Sequence, residues 1–125
     1  VSLARRCVSE TVSVPRAWRN RDVIVHLGGA ESVAIVWCNG TFVGMGKDSR
    51  LPSEFDLTPH LVSGTNLLAV MVIRYSDATW IEDQDHWWHA GLHRPVHLEA
   101  RGPPGSTISM SGLTSTQRRA LAASR

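Results

Sequence analysis

An all-β domain, a sandwich or jelly roll, is the fold class this sequence predicts, on three observations. Asn39-Gly40 stands between two apolar runs, the pair a two-residue type I′ hairpin turn demands because both positions need positive φ. Short β-prone segments recur between Thr11 and Leu98 with turn residues between them. And 125 residues make one domain, with room for a real core but too few for a closed (β/α)₈ barrel, which needs about 200 or more.

The elements follow in order. Asp22-Val-Ile-Val-His-Leu27 alternates as a strand, with Val23, Val25 and Leu27 on one face. Val33-Ala-Ile-Val-Trp-Cys38 and Thr41-Phe-Val-Gly-Met45 form the hairpin, in a register that sets Cys38 against Thr41 and Trp37 against Phe42. Gly44 and Gly46 weaken the end of the second strand, and Lys47-Asp-Ser-Arg50 reads as loop. Thr58-Pro59 looks like a helix start, with a short turn over His60–Val62 ending near Gly64. Leu67-Leu-Ala-Val-Met-Val-Ile73 is uninterrupted and apolar, which predicts a strand covered on both faces. Val96-His-Leu98 closes the pattern. Residues 101–125 differ: 13 of the 25 are Gly, Pro, Ser or Thr. Such a segment buries too little to offset its ordering entropy, so a disordered tail is expected after a domain spanning 1–100.

Charge narrows the function classes. Of 13 basic side chains, Arg101, Arg118, Arg119 and Arg125 lie in that tail with no acid among them, while residues 1–100 carry an excess of acids. No basic stripe alternates with aromatics, so a nucleic-acid partner is not expected. No apolar run approaches the roughly 18 residues of a membrane span and no signal peptide opens the sequence, so neither a membrane partner nor secretion is expected. Cys7 and Cys38 read as small buried thiols, and sequence leaves open whether they pair.

The chemistry-bearing window is Trp80-Ile-Glu-Asp-Gln-Asp-His-Trp-Trp-His89. It sets Glu82, Asp83 and Asp85 within four residues, flanked by Trp80, Trp87 and Trp88. Carboxylates accept hydrogen bonds from hydroxyls or bind hard cations, and flat amphipathic rings pack on sugar faces. On the window alone, an acidic surface loop with two Trp filling a sheet interface explains it as well. His86, His89, His93 and His97 have spacings that suggest zinc, yet Gly91 and Pro95 break any helix that would gather them, so loop or surface histidines are expected. No nucleophile elbow or phosphate-cradling glycine loop is present.

The run Trp37-Cys-Asn-Gly-Thr-Phe-Val-Gly-Met-Gly-Lys-Asp-Ser-Arg-Leu-Pro-Ser-Glu-Phe-Asp-Leu57 resembles the N-terminal sugar-binding domain of family-2 glycoside hydrolases, above all the large bacterial β-galactosidases. Gly64-Thr-Asn66, Leu68-Ala-Val-Met-Val72, Tyr75-Ser-Asp77, Glu82-Asp-Gln-Asp85, Trp87, Gly91, Arg94 and Val96 extend the likeness from about Arg6 to Leu98. It implies a jelly-roll β-sandwich of the galactose-binding-domain-like type, packed on a catalytic (β/α)₈ barrel of the same polypeptide, in a cytoplasmic enzyme that hydrolyses terminal β-galactosides. It also implies that Asp85 contacts a galactosyl hydroxyl and a neighbouring sodium ion. Glu82 and Asp83 would orient that loop, and Trp37 and Trp87 would be core or interface aromatics. The catalytic glutamates and magnesium ligands belong to the barrel, so no catalytic residue is expected among these 125.

The family's preceding stretch, which supplies a sugar-contacting asparagine, has no counterpart before Val1. After Leu98 the likeness stops, which suggests a truncated or frame-shifted reading of a β-galactosidase gene. The competing expectation is a standalone carbohydrate-binding or protein-interaction module.

Overall fold

A computed structural model describes residues 5–82, 85, 87–102 and 107–110. The strands are β1 (Arg5–Ser13), β2 (Asp22–Leu27), β3 (Ala30–Glu31), β4 (Val33–Cys38), β5 (Thr41–Gly46), β6 (Ser53–Asp56), β7 (Thr65–Ile73), β8 (Gly91–Leu92), β9 (Val96–Arg101) and β10 (Thr107–Met110). One short helix, α1, spans Ala78–Ile81. Two antiparallel four-stranded sheets, ordered β1-β7-β4-β5 and β10-β9-β2-β6, enclose the core, and β3 pairs with β8 beside them. This is the predicted all-β sandwich.

Strand alternation builds the core. Val23, Val25 and Leu27 of β2 and Val96, Leu98 and Ala100 of β9 face inward from one sheet. Ala34, Val36 and Cys38 of β4 meet them from the other, with Leu68, Val70 and Val72 of β7. Each fully buried Val or Leu contributes about 1.5–3 kcal/mol by leaving water. Trp18, on a 3-10 turn over Arg16–Trp18, is buried in the same cluster. Where the edges β5 and β6 meet, Phe55 lies over Gly44 so closely that an added Cβ would sit 2.7 Å from its ring.

The hairpin has its expected register, Cys38 opposite Thr41 and Trp37 opposite Phe42, with φ of 51° at Asn39 and 81° at Gly40. The Trp37 and Phe42 rings meet edge to face at 6.4 Å. Beyond them the ladder shifts register between Val36 and Trp37, a bulge that twists the strand.

Several expectations are corrected. β7 is covered on one face only: Leu68, Val70 and Val72 are buried, whereas Leu67 is half exposed and Ala69, Met71 and Ile73 are partly so. The outer face of that sheet is therefore an apolar surface, with Phe42, Met45 and Leu67 each at least 50% exposed. An uninterrupted apolar run marks a surface to be covered without saying by what. The turn after β6 is a 3-10 turn over Thr58–His60, ahead of the expected position. The Thr58 hydroxyl accepts the Val23 N–H (2.8 Å), tying the turn to the sheet, while Asp56 Oδ1 accepts the Thr58 N–H (2.9 Å). Cys38 is buried but Cys7 is exposed, and both are free thiols. Burial raises the Cys38 thiol pKa above its ordinary value.

β9 runs to Arg101, and Thr107–Met110 pair with it from Arg101 back to Leu98, inside the stretch expected to be disordered. An edge strand gains its ladder from the backbone of its neighbour, which composition does not reveal. The rest of the expected tail, 103–106 and 111–125, lies outside the described residues.

The outer face of the second sheet carries a polar network. Arg101 donates to Glu54 Oε1 (2.6 Å) and Glu99 Oε2 (2.9 Å), and His26 and His97 lie beside the same carboxylates. The Arg101 hydrogen bond, then that of His26, brings Glu54 down to about 2 from its ordinary 4.5. A depressed carboxyl stabilises the fold above its unfolded pKa and loses that contribution as pH falls from 4.5 through about 2. Solvent screening discounts the gain, since the Glu54 side chain is 40% exposed. Thermal melts at stepped pH are expected to show a shallower acid decline for Arg101→Gln than for the unsubstituted chain. Parallel declines would rule the network out as a contributor.

Candidate functional site: a carboxylate and aromatic loop cluster

Four stretches are tied together: 28–32, 47–51, 74–82 with 87–90, and 93–95. Close backbone approach makes this possible. Gly28 N–H donates to Pro95 O (3.0 Å) and His93 N–H to Gly29 O (3.2 Å). A Cβ on Gly29 would stand 2.7 Å from the His93 imidazole. Burial is the main cause that depresses the His93 pKa, with His89 next.

Glu31 is buried at 4% exposure, and a buried carboxylate needs partners. Its Oε2 accepts the His89 N–H at 2.8 Å and stands 3.7 Å from Arg50 Nη1. Next to it, the Ser32 and Ser76 hydroxyls meet at 2.5 Å, and the Ser76 N–H donates to Thr79 Oγ1 (2.9 Å). Asp77 starts α1 by accepting the Ala78 N–H (3.0 Å) and holds the Lys47 ammonium through both oxygens (2.8 and 2.9 Å). The Lys47 hydrogen bond is the first cause that depresses the Asp77 pKa.

Glu82 clamps two loops together. It accepts Ser49 Oγ–H at 2.5 Å and Ser49 N–H at 3.2 Å. Asp48 Oδ1 in turn takes the N–H groups of Arg50 and Leu51, both at 2.8 Å, so the 48–51 turn is fixed from within. Arg94 Nη1 donates to Arg50 O at 2.8 Å. Glu31, Ser49, Arg50, Glu82 and Trp88 line an open depression with room for about one water molecule. Arg50 Nε and Nη1 are buried there without a hydrogen-bond acceptor among the described residues, leaving donors to spare for an oxygen-bearing ligand.

Aromatic side chains crowd the rim. Tyr75 and Trp88 lie 6.5 Å apart, and the Arg74 guanidinium sits 5.1 Å over Tyr75. Trp80 (82%), Ile81 (82%) and Trp87 (84%) are exposed far beyond the usual for such residues.

Of the residues singled out in the sequence, Asp85 is exposed, three positions beyond the Glu82 clamp. It makes no hydrogen bond or ion pair with another described residue. Asp83 and His86 lie outside the described residues. Trp87 is a rim residue and not a core one, whereas Trp37 is half-buried on the outer apolar face. Carboxylate chemistry suits sodium, but one carboxylate is not a cation site. Among the described residues, Asp85 joins no group of three potential metal ligands, so these residues alone do not fit a sodium ion. The His89 and His93 rings stack at 5.0 Å, and neither joins such a group. Sequence reasoning missed Glu31 and Arg50 as site residues. A charged Glu31 set among Ala30, Ser32 and Val33 was the available signal.

Comparison with known proteins bears on this geometry. Residues 3–102 match the sugar-binding domain of glycosyl hydrolases family 2. The β-galactosidase of Psychromonas ingrahamii is 50% identical over 86 residues, 69% of this chain and 8% of that protein. The β-galactosidase of Vibrio vulnificus is 59% identical over 70 residues, 56% of this chain and 7% of that one. A solved β-glucuronidase of Bacteroides uniformis superposes with a TM-score of 0.71 at 26% identity, covering 78% of this chain and 12% of that structure. The chain thus spans less than a tenth of the length of the two curated relatives.

Proposed function

The chain belongs to the sugar-binding domains of glycosyl hydrolase family 2, and from that premise we propose that it serves a cytoplasmic β-galactosidase as a non-catalytic domain. It presents Asp85 to the galactosyl group bound in a partner (β/α)₈ barrel. Asp85 accepts a hydrogen bond from a sugar hydroxyl. Glu82 orients that loop through Ser49. The apolar outer face of Phe42, Met45 and Leu67, or the Trp80–Ile81 rim, covers itself against the rest of the enzyme.

The observation that carries this reading is the pairing of 50–59% identity to β-galactosidases with a loop clamped at Glu82 just before an exposed Asp85. Identity to the β-glucuronidase is half as high, which favours a galactoside over a glucuronide.

The test is a chimera in which the matching 86-residue segment of the Psychromonas ingrahamii β-galactosidase is replaced by that of this chain. Hydrolysis of a nitrophenyl β-galactoside within about tenfold of the parent is expected, since the new segment only positions substrate. A folded chimera without that activity would refute the reading. A tryptophan fluorescence change with galactose in the isolated chain, at millimolar affinity or better, would instead establish a binding module.

A further inference from the structure

The outer face of the second sheet brings together side chains that the sugar-binding reading leaves unused. His26 and His97 are direct cross-strand partners on β2 and β9, and Glu54 on β6 stands opposite His26 from the other side. Glu99 follows His97 by two positions, so all four side chains point to one face. The two imidazoles stack with centroids 4.5 Å apart. The donor atoms of His26, His97 and Glu99 all lie within 4.8 Å of one another. All three are partly buried, so their rotamers are restrained by the strands beneath.

We infer that His26, His97 and Glu99 form a binding site for a borderline divalent cation of the zinc type. Two imidazoles and a carboxylate match the donor set of a three-ligand zinc site with one position left for water. Tetrahedral coordination at about 2.0–2.1 Å places donors about 3.3 Å apart, so the site closes by side-chain rotations of an ångström scale. Arg101 sits on Glu99 Oε2 and leaves Oε1 toward His97 at 2.9 Å. It therefore acts as the outer partner that orients the ligating carboxylate. Glu54, hydrogen-bonded to His26 Nδ1 at 3.1 Å, does the same for that ring. Because the pairing is set by backbone register, the donors converge without metal, and little ordering cost remains for binding.

Calorimetric titration of the 125-residue chain with Zn²⁺ alone tests the site. One equivalent is expected to bind in the micromolar range. Loss of a ligand in His97→Gln or Glu99→Gln is expected to weaken that step by about 100-fold, at the upper end of what outer partners cost. His93→Gln, which disrupts the other stacked histidine pair, is expected to leave it unchanged. No binding, or binding kept by His97→Gln and lost by His93→Gln, overturns the assignment. Should a variant fail to fold, imidazole spectra of the unsubstituted chain decide. The His26 and His97 resonances move together at one equivalent, or the site does not exist.

Discussion

Asp85→Ala in the chimeric β-galactosidase is expected to lower kcat/KM for a β-galactoside by about 100- to 1,000-fold, equivalent to about 3–4 kcal/mol of transition-state stabilisation. Hydrogen bonds to sugar hydroxyls strengthen as the ring flattens toward an oxocarbenium ion, so a carboxylate acceptor acts more on the transition state than on the ground state. Asp85→Asn, which keeps an acceptor but loses the charge, should recover part of the loss. The exposure of Asp85 makes this a clean test, because nothing in the described fold rests on its side chain. Equal melting midpoints with and without the substitution are therefore expected. Unchanged kcat/KM in Asp85→Ala would refute the role assigned to it.

Asn66→Ala is expected to cost about 3–4 kcal/mol of stability, a large part of the roughly 5–15 kcal/mol that a domain possesses. Asn66 is fully buried and every polar atom of its amide is used. Oδ1 accepts Val62 N–H (2.7 Å) and Asn39 Nδ2–H (2.8 Å), while Nδ2 donates to Val62 O (3.1 Å) and Gly64 O (3.2 Å). Asn39 then passes the connection on, donating to His60 O (2.9 Å) and accepting Leu67 N–H (2.9 Å). Removing the amide strands several buried groups at once and opens a small cavity. A drop of about 10–15 °C in the melting midpoint is expected for a domain of this size. A drop under about 3 °C would mean that water or rearrangement replaces the network. Asn39→Ala, at an exposed position that loses fewer bonds, should fall between.

What sequence reveals here is what local chemistry decides. Asn39-Gly40 specifies its turn through the backbone alone, and the alternation of Val23, Val25 and Leu27 specifies a buried face without knowledge of the partner. β1 escapes because Cys7-Val-Ser-Glu-Thr-Val-Ser13 sets a charged Glu10 between Val8 and Val12 on its partly buried face, at the edge of the sheet. β3 and β8, two residues each, exist only because distant segments meet. The site divides the same way. Glu31 is a site residue by virtue of His89, 58 positions away, and Arg50, so no window of sequence contains it. Asp85 is singled out by the resemblance alone, while the Ser49 clamp on Glu82 has no sequence signal, since serine in a polar loop carries none of its own.

The two anchors around Asp85 set a mechanical limit. Glu82 is fastened to Ser49, and His89 is fastened through its backbone to the buried Glu31. Asp85 lies three residues from the first and four from the second. At about 3.3–3.6 Å per residue, its Cα stays within about 11 Å of Glu82 and about 14 Å of His89. Chain length therefore confines the carboxylate to the small lens-shaped volume where those two limits overlap. Under the proposed function, the sugar has to be carried into that volume by the docking of the barrel on this domain, so a shift in docking angle would change specificity with every contact residue left in place.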